Sequence, residues 1–537
     1  MKIILFIAIL PLILMNLSAQ EWKTYPYNPE NSIISFPKDE GLHTNEKTEW
    51  WYTFAKLKGK ETGNDYTVMF TFFYRDTLFF DGLRIFNISN ETTKEFFHDA
   101  KPVNYNTNSV DYLNIEAKIY GQNRVETWKT KADSNGILIP FNYKLKAKAA
   151  FGAINLDYNV IKRPLILADS GFLYQGSKNY TYYYSFTEIE VNGELTLNGI
   201  TEPVEGIAWF DKQYGNFHPE VEEKYEWLSL KLSNGIDINT WEIFNKDFQV
   251  PQTPDYKQFN CYIDDNTSLN TYDFKIERLD YFYSPDSARV YCKKFLLTEP
   301  KLDLNLEVEI SNPNCEPSYP FNFYEGPLKI KGKVGDENIT GFGFGELLHT
   351  YNKQAIEFKY PNTKWNRDSL IKWSISNPDF GRPVTYDLYS RTFNTKYILI
   401  DSTLTDTSYT VAPSDFSQDS LYQFLLISSS PGNFFKDSIS TEFYMPISVF
   451  EENNSDIKVF PTIFSNSIIV ERESTIPSEN TNIVIVSDIN RIILKKRLKM
   501  NSSRMKLYFN NLPDGLYVIY VSDRGIVYSK KIIHVSN

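Results

Sequence analysis

The feature that most constrains this chain is a period-two alternation of large side chains, broken at short intervals by turn residues. In the stretch Glu49-Trp50-Trp51-Tyr52-Thr53-Phe54, a strand places Trp50, Tyr52 and Phe54 on one face and Glu49, Trp51 and Thr53 on the other. Both faces are bulky, which predicts a strand covered on two sides. The pairs Asn192-Gly193, Asn198-Gly199 and Asn234-Gly235 stand between alternating segments, as hairpin turns require. Aromatic residues make up 16% of the chain, with 37 Tyr and 39 Phe, a composition that favours strands. Apolar residues at every third or fourth position are hard to find. The expected fold class is all-β, with barrels or sandwiches built from many short strands.

At 537 residues the chain is too long for one core, so it is expected to divide into several domains. Its net charge of −11 argues against nucleic acid or an anionic membrane as the main partner. Residues 1–19 combine Lys2, an apolar run and Leu17-Ser18-Ala19, the pattern of a secretory signal peptide cleaved after Ala19. No later segment is apolar enough for an integral membrane span, so an exported protein is expected, secreted or attached to the outer cell surface. Cys261, Cys292 and Cys315 match no zinc spacing, and their pairing is left open. The isolated histidines and scattered acids predict no metal site, and no cofactor is expected. Gly-x-Ser-x-Gly elbows and phosphate-binding glycine loops are absent from the sequence, which disfavours hydrolases of that type and nucleotide enzymes.

Four stretches within residues 41–352 stand out in order. They are His43 with Glu49-Trp50-Trp51-Tyr52, then Tyr182-Tyr183-Tyr184-Ser185, then Gly206 with Trp209-Phe210-Asp211, and Tyr324-Glu325-Gly326 leading to Gly343-Phe344-Gly345-Glu346-Leu347. Together they resemble the AttH-like family of carotenoid hydratases (hydroxyneurosporene synthases). That resemblance implies two lipocalin-like β-barrels in tandem, residues 41–190 and 191–352, with a site for a lipophilic small molecule between or within them. In the hydratase branch the tyrosine segment carries a His and a Trp, and a Tyr stands two places before the acid. Here those positions read Tyr182, Tyr184 and Trp209, so the identity of the lipophile stays open. Residues 356–447 have the cadence of a fibronectin type III sandwich, with Trp373 on an early strand and "YQFLLISS" as a late one. Residues 455–537 resemble the C-terminal sorting domain of the Bacteroidetes type IX secretion system, through Val459-Phe460-Pro461, Phe464-Ser465-Asn466, Leu512 to Tyr517 and Lys530-Lys531. That resemblance implies the type IX machinery as a partner.

The resemblance makes Asp211 the candidate catalytic acid. Adding water to an isolated alkene begins with protonation of carbon, so the donor must hold its proton at working pH. Burial raises a carboxyl pKa to that end, and ring faces stabilise the cation that forms. Trp209 shares a strand face with Asp211, opposite Phe210. Trp209, Tyr182, Tyr184, Trp51, Glu49, Trp227 and His218 complete the candidate ligand-binding set, although core packing also accounts for Trp51 and Trp227. Asp211 has an alternative reading as a hydrogen-bonded aspartate closing a strand, and a structural role is favoured for Glu346. The activity expected is acid-assisted hydration, isomerisation or cyclisation of an unsaturated lipophile. The alternatives are a carrier without chemistry and a surface adhesin.

Overall fold

The computed structural model forms two units, residues 1–351 and 352–537. In the first it describes residues 21–75, 80–218, 222–285, 287, 289–319 and 322–351. In the second it describes residues 355–360, 365–366, 370–375, 384–392, 395–411, 416, 422–430, 435–441, 446–447, 457–472, 478–487, 492–500, 504–509, 512–523 and 526–536. The signal peptide expected over residues 1–19 lies outside them.

The N-terminal unit is built from two sheets. The first contains β1 (Thr48–Gly59), β2 (Asp65–Tyr74), β3 (Gly82–Asn90), β4 (Phe96–Asn108), β5 (Asn114–Ile119), β6 (Val125–Ala132), β7 (Leu138–Lys148), β8 (Gly152–Val160), β9 (Leu165–Ile166), β10 (Phe172–Gln175), β11 (Asn179–Leu197) and β12 (Ile200–Asn216). Ten of these, β1 to β8 with β11 and β12, close a barrel through the pairing of β11 with β8. The second sheet contains β13 (Lys224–Leu232), β14 (Asp237–Phe244), β15 (Lys257–Tyr262), β16 (Ser268–Thr271), β17 (Lys275–Tyr283), β18 (Val290–Glu299), β19 (Leu304–Ile310), β20 (Tyr324–Val334) and β21 (Glu337–Leu347). Its order runs from β16 at one edge to β17 at the other, with β13 and β21 adjacent, so it forms a half-barrel rather than a closed one. Residue 190, where the sequence reading divides the two barrels, lies inside β11, and the first sheet continues to Asn216.

The two-sided character of β1 has a direct structural cause. Trp51 points into the barrel with Phe70, Phe72, Tyr184, Phe186 and Phe210, while Tyr52 and Phe54 point outward to a second core. That second core joins the barrel's outer face to Trp227, Trp241, Ile243 and Phe344 of the half-barrel. The barrel interior is filled by aromatic rings. The segment before β1 closes part of it, with Phe36 edge-on to Tyr184 at 4.8 Å between ring centroids.

Two of the three Asn-Gly pairs are turns. Asn198 and Gly199 join β11 to β12 with φ of 50° and 84°, both left-handed, and Gly235 turns between β13 and β14 with φ 89°. Asn192-Gly193 is not a turn; it lies within β11, paired with β12 on one side and β8 on the other. The glycine serves close approach instead, because a Cβ at residue 193 would sit 2.2 Å from the Asn155 carbonyl oxygen. Gly193→Val is therefore expected to destabilise the barrel by about 2–3 kcal/mol, read from urea unfolding. A further irregularity between Phe186 and Ile189 places two residues of β11 opposite one of β12.

The C-terminal unit is also all strand among its described residues. Its first part has a three-stranded and a four-stranded sheet sharing a core that includes Ile371, Trp373, Leu388, Phe424 and Leu426. Trp373 lies on the strand Leu370–Ile375, and "YQFLLISS" forms the strand Tyr422–Ser429. Its second part has a three-stranded and a five-stranded sheet around Val459, Val470, Ile483, Ile519 and Ile532.

Candidate active site

Asp211 lies near the middle of β12, opposite Tyr52 of β1 and Ser185 of β11. Residues opposite one another in a ladder project to the same face, so all three side chains leave the barrel toward the half-barrel. Asp211 is 3% exposed. Its Oδ1 accepts hydrogen bonds from the Ser185 hydroxyl at 2.5 Å and from the Trp209 indole N–H at 2.9 Å. Asn239 of β14 donates from Nδ2 to Ser185 Oγ at 3.1 Å and to the Tyr183 hydroxyl at 3.0 Å, and its Oδ1 accepts from Trp227 Nε1 at 3.0 Å. The Trp227 ring meets Tyr52 edge-on at 5.9 Å. Asp211 thus sits among the rings of Tyr52, Tyr183, Trp209 and Trp227, held by a polar chain that links the two sheets.

Burial pushes the Asp211 carboxyl up to about 7, against the opposing hydrogen bonds from Ser185, Trp209 and Tyr183, with a further upward contribution from the charge of Glu346. Two more carboxyls share this face. Glu325 of β20 and Glu346 of β21 are directly opposite each other in the ladder. Burial raises Glu346 to about 7, while the Tyr225 hydroxyl donates to it. Glu325 is raised by burial and by the Glu346 charge, and its Oε2 accepts from Asn87 Nδ2 at 3.2 Å. The charges of Glu325, Glu346 and Asp211 all act to raise the Tyr52 hydroxyl, already raised by its burial.

These shifts have a measurable consequence. Folded Asp211 holds its proton more tightly than the unfolded chain, whose ordinary value is 3.8. Its stabilising contribution is therefore complete below about pH 4 and is lost as pH rises through about 7, on the order of 4 kcal/mol in all. Urea unfolding is expected to show wild-type stability declining from pH 4 to 7.5, and a smaller decline in Asp211→Asn. Glu346 acts in the same direction.

The sequence-derived site residues divide between the two faces of the barrel wall. Asp211, Trp209 and Trp227 come together at the inter-sheet face. Tyr184 and Trp51 point into the barrel interior, and Tyr182 packs against the same interior core. Glu49 is also interior, paired with the fully buried Lys212. His43 completes that group, bonding Glu49 through Nδ1 at 2.7 Å and Asp39 through Nε2 at 2.8 Å, and stacking on Tyr214 at 3.5 Å. Tyr182 in turn stacks on Tyr214 at 4.9 Å. Tyr182, Tyr184, Trp51 and Glu49 therefore do not line the face that carries Asp211. His218 lies beyond the end of β12, its backbone N–H donating to Asn179 Oδ1 at 2.8 Å. Ser185, Tyr183, Tyr52, Asn239 and the Glu325–Glu346 pair replace them in the site; Glu346, read from sequence as structural, is one of its acids.

Among the described residues no group of three His, Cys, Asp or Glu side chains converges to hold a metal ion, and no helix is long and apolar enough to cross a membrane. Cys261, Cys292 and Cys315 are all buried and free.

A lipocalin-like barrel backed by a half-barrel, with a buried acid between them, defines the class of this protein. Residues 27–351 match the AttH-like family, more than half of the chain, and the protein belongs to that family. Residues 458–535 match the secretion system C-terminal sorting domain, which indicates export by type IX secretion, to the cell surface or beyond, and interaction with that machinery. Among solved structures, the chain is similar to an AttH-type protein from Nitrosomonas europaea at 19% identity, covering 60% of this chain and 99% of that one, with a TM-score of 0.49. It is similar to kievitone hydratase from Nectria haematococca at 14% identity, covering 61% and 98%, with a TM-score of 0.47. A two-domain fibronectin type III segment of chicken tenascin matches at 13% identity over 33% of this chain and 97% of that one, with a TM-score of 0.14. The comparison with curated protein sequences finds no match.

Proposed function

We propose that this exported protein binds an unsaturated lipophile between the barrel and the half-barrel and carries out acid-assisted chemistry on it without a cofactor, hydration foremost, with Asp211 as the proton donor. The observation that carries the reading is the Asp211 carboxyl buried among four aromatic rings, with its pKa raised to about 7. Such an acid is about half protonated at neutral pH and strong enough to give the proton up, as a general acid requires. Transfer to an alkene carbon leaves a cation, and the faces of Trp209, Trp227 and Tyr52 each offer it about 0.5–2 kcal/mol. Because Asp211 is only 3% exposed, substrate entry requires side chains of the two facing sheets to part. The fibronectin-like part is assigned a spacer role, and the signal peptide and the sorting domain the route out of the cell.

The test is incubation with kievitone, the compound named for the fungal relative, and with an acyclic carotenoid such as neurosporene, followed by mass spectrometry for addition of one water. Conversion by wild type and loss of it in Asp211→Asn supports the reading. Retention of the lipophile with no conversion by wild type makes the protein a carrier, and failure to retain any lipophile favours an adhesin.

A further inference from the structure

We infer that Asn239, itself oriented by Trp227, is a positioning residue for Asp211: from the half-barrel it fixes the direction of the hydrogen bonds that receive the carboxylate once the proton has been given up. This rests on the reading of Asp211 as the proton donor. The argument starts at Trp227, because an indole N–H can only donate. Its Nε1 lies 3.0 Å from Asn239 Oδ1, so the carbonyl side of the amide faces the indole and the NH2 side faces the barrel. There Nδ2 directs one hydrogen to the Tyr183 hydroxyl at 3.0 Å and the other to Ser185 Oγ at 3.1 Å.

Each of these hydroxyls carries a single hydrogen. With its oxygen accepting from Asn239, Ser185 turns that hydrogen to Asp211 Oδ1 at 2.5 Å, and the Tyr183 hydroxyl bonds to the same carboxyl. Trp209 adds a second indole donor at 2.9 Å. The bonds therefore run one way, from Trp227 to Asn239, from Asn239 to the two hydroxyls, and from the hydroxyls to Asp211. A hydroxyl that accepts one hydrogen bond donates the next more strongly, so Asn239 strengthens the bonds that Asp211 receives. Asn239 and Ser185 are fully buried, where such bonds are not weakened by bulk water.

Donors aimed at a carboxyl favour its ionised form, so this chain makes Asp211 a stronger acid than burial alone would leave it. Asn239 and Trp227 stand on the half-barrel, whereas Ser185, Tyr183 and Asp211 stand on the barrel. The chain is complete only while the two sheets are packed together, and the acid strength of Asp211 follows that packing. The other titratable groups facing Asp211 are Tyr52 of β1, Tyr183 of β11 and, from the half-barrel, Glu346 of β21 with Glu325 opposite it on β20. The variants below alter none of these.

The test is an infrared titration of the full chain without substrate, each variant measured against the same variant carrying Asp211→Asn, so that only the Asp211 carboxyl is followed. Ser185→Ala is expected to raise the midpoint by about one pH unit, a roughly tenfold weaker acid, because a hydrogen bond to the charged form is lost. Asn239→Leu, similar in volume, is expected to raise it by about half a unit, roughly threefold. Trp227→Phe keeps a ring in place but frees the amide to turn, and a rise in the same direction is expected; it keeps the test decisive if Asn239→Leu does not fold. An amide that only joins the two sheets predicts lower stability with an unchanged midpoint in folded Asn239→Leu and Trp227→Phe. That result, or a lowered midpoint, overturns the positioning role alone. A wild-type band already gone by pH 5 overturns the donor reading and the inference with it.

Discussion

Asp211→Asn is expected to lower turnover of an alkene substrate by about 10²–10⁴-fold, the usual contribution of a positioned general acid. Binding should change little, because Asn keeps the shape of the side chain and an oxygen able to accept from Ser185 and Trp209. The loss should therefore fall on kcat rather than KM, as for a group that acts in the transition state. A purely strand-closing aspartate predicts the opposite pattern: reduced stability with turnover per folded molecule intact. Measuring kcat alongside the folded fraction separates the two.

The second large effect concerns the barrel interior. Lys212 and Glu49 are both fully buried, and the ammonium also lies 3.7 Å from the centroid of the Trp51 ring. Burial lowers Lys212 to about 8 despite the attraction of Glu49, and Glu49 is held below its ordinary value by Lys212 and His43. Removing one partner leaves a buried charge without compensation, at a cost of about 3–5 kcal/mol. Lys212→Met is expected to lose that much in urea unfolding at pH 7. The double variant Lys212→Met/Glu49→Gln should recover a good part of it, since neither charge then remains. Equal losses in the single and double variants would show that packing, not charge, makes the pair matter.

Much of this architecture was legible in the residues. The bulk on both faces of Glu49 to Phe54 foretold a strand between two cores, and the Asn198-Gly199 and Asn234-Gly235 turns fall where they were expected. The placement of Trp209 beside Asp211 followed from period two alone. What the sequence hid was the relation between β11 and β12. Counting back from the Asn198-Gly199 turn pairs Asp211 with Phe186, which would bring Tyr182 and Tyr184 to its face. The one-residue bulge between Phe186 and Ile189 shifts the register, pairs Asp211 with Ser185, and sends those two tyrosines to the interior. The Glu325–Glu346 pair was hidden for a different reason. It reaches Asp211 only through packing of one sheet on another, and that proximity leaves no periodic trace in the chain.

The most direct test is the ionisation of Asp211 itself, followed by infrared difference spectroscopy of wild type against Asp211→Asn across pH 4–9. A protonated carboxyl band present in wild type, absent from the variant and titrating near pH 7 is the predicted result. A band that has vanished by pH 5 would mean the carboxyl is already ionised at neutral pH, and proton donation from this residue would be contradicted.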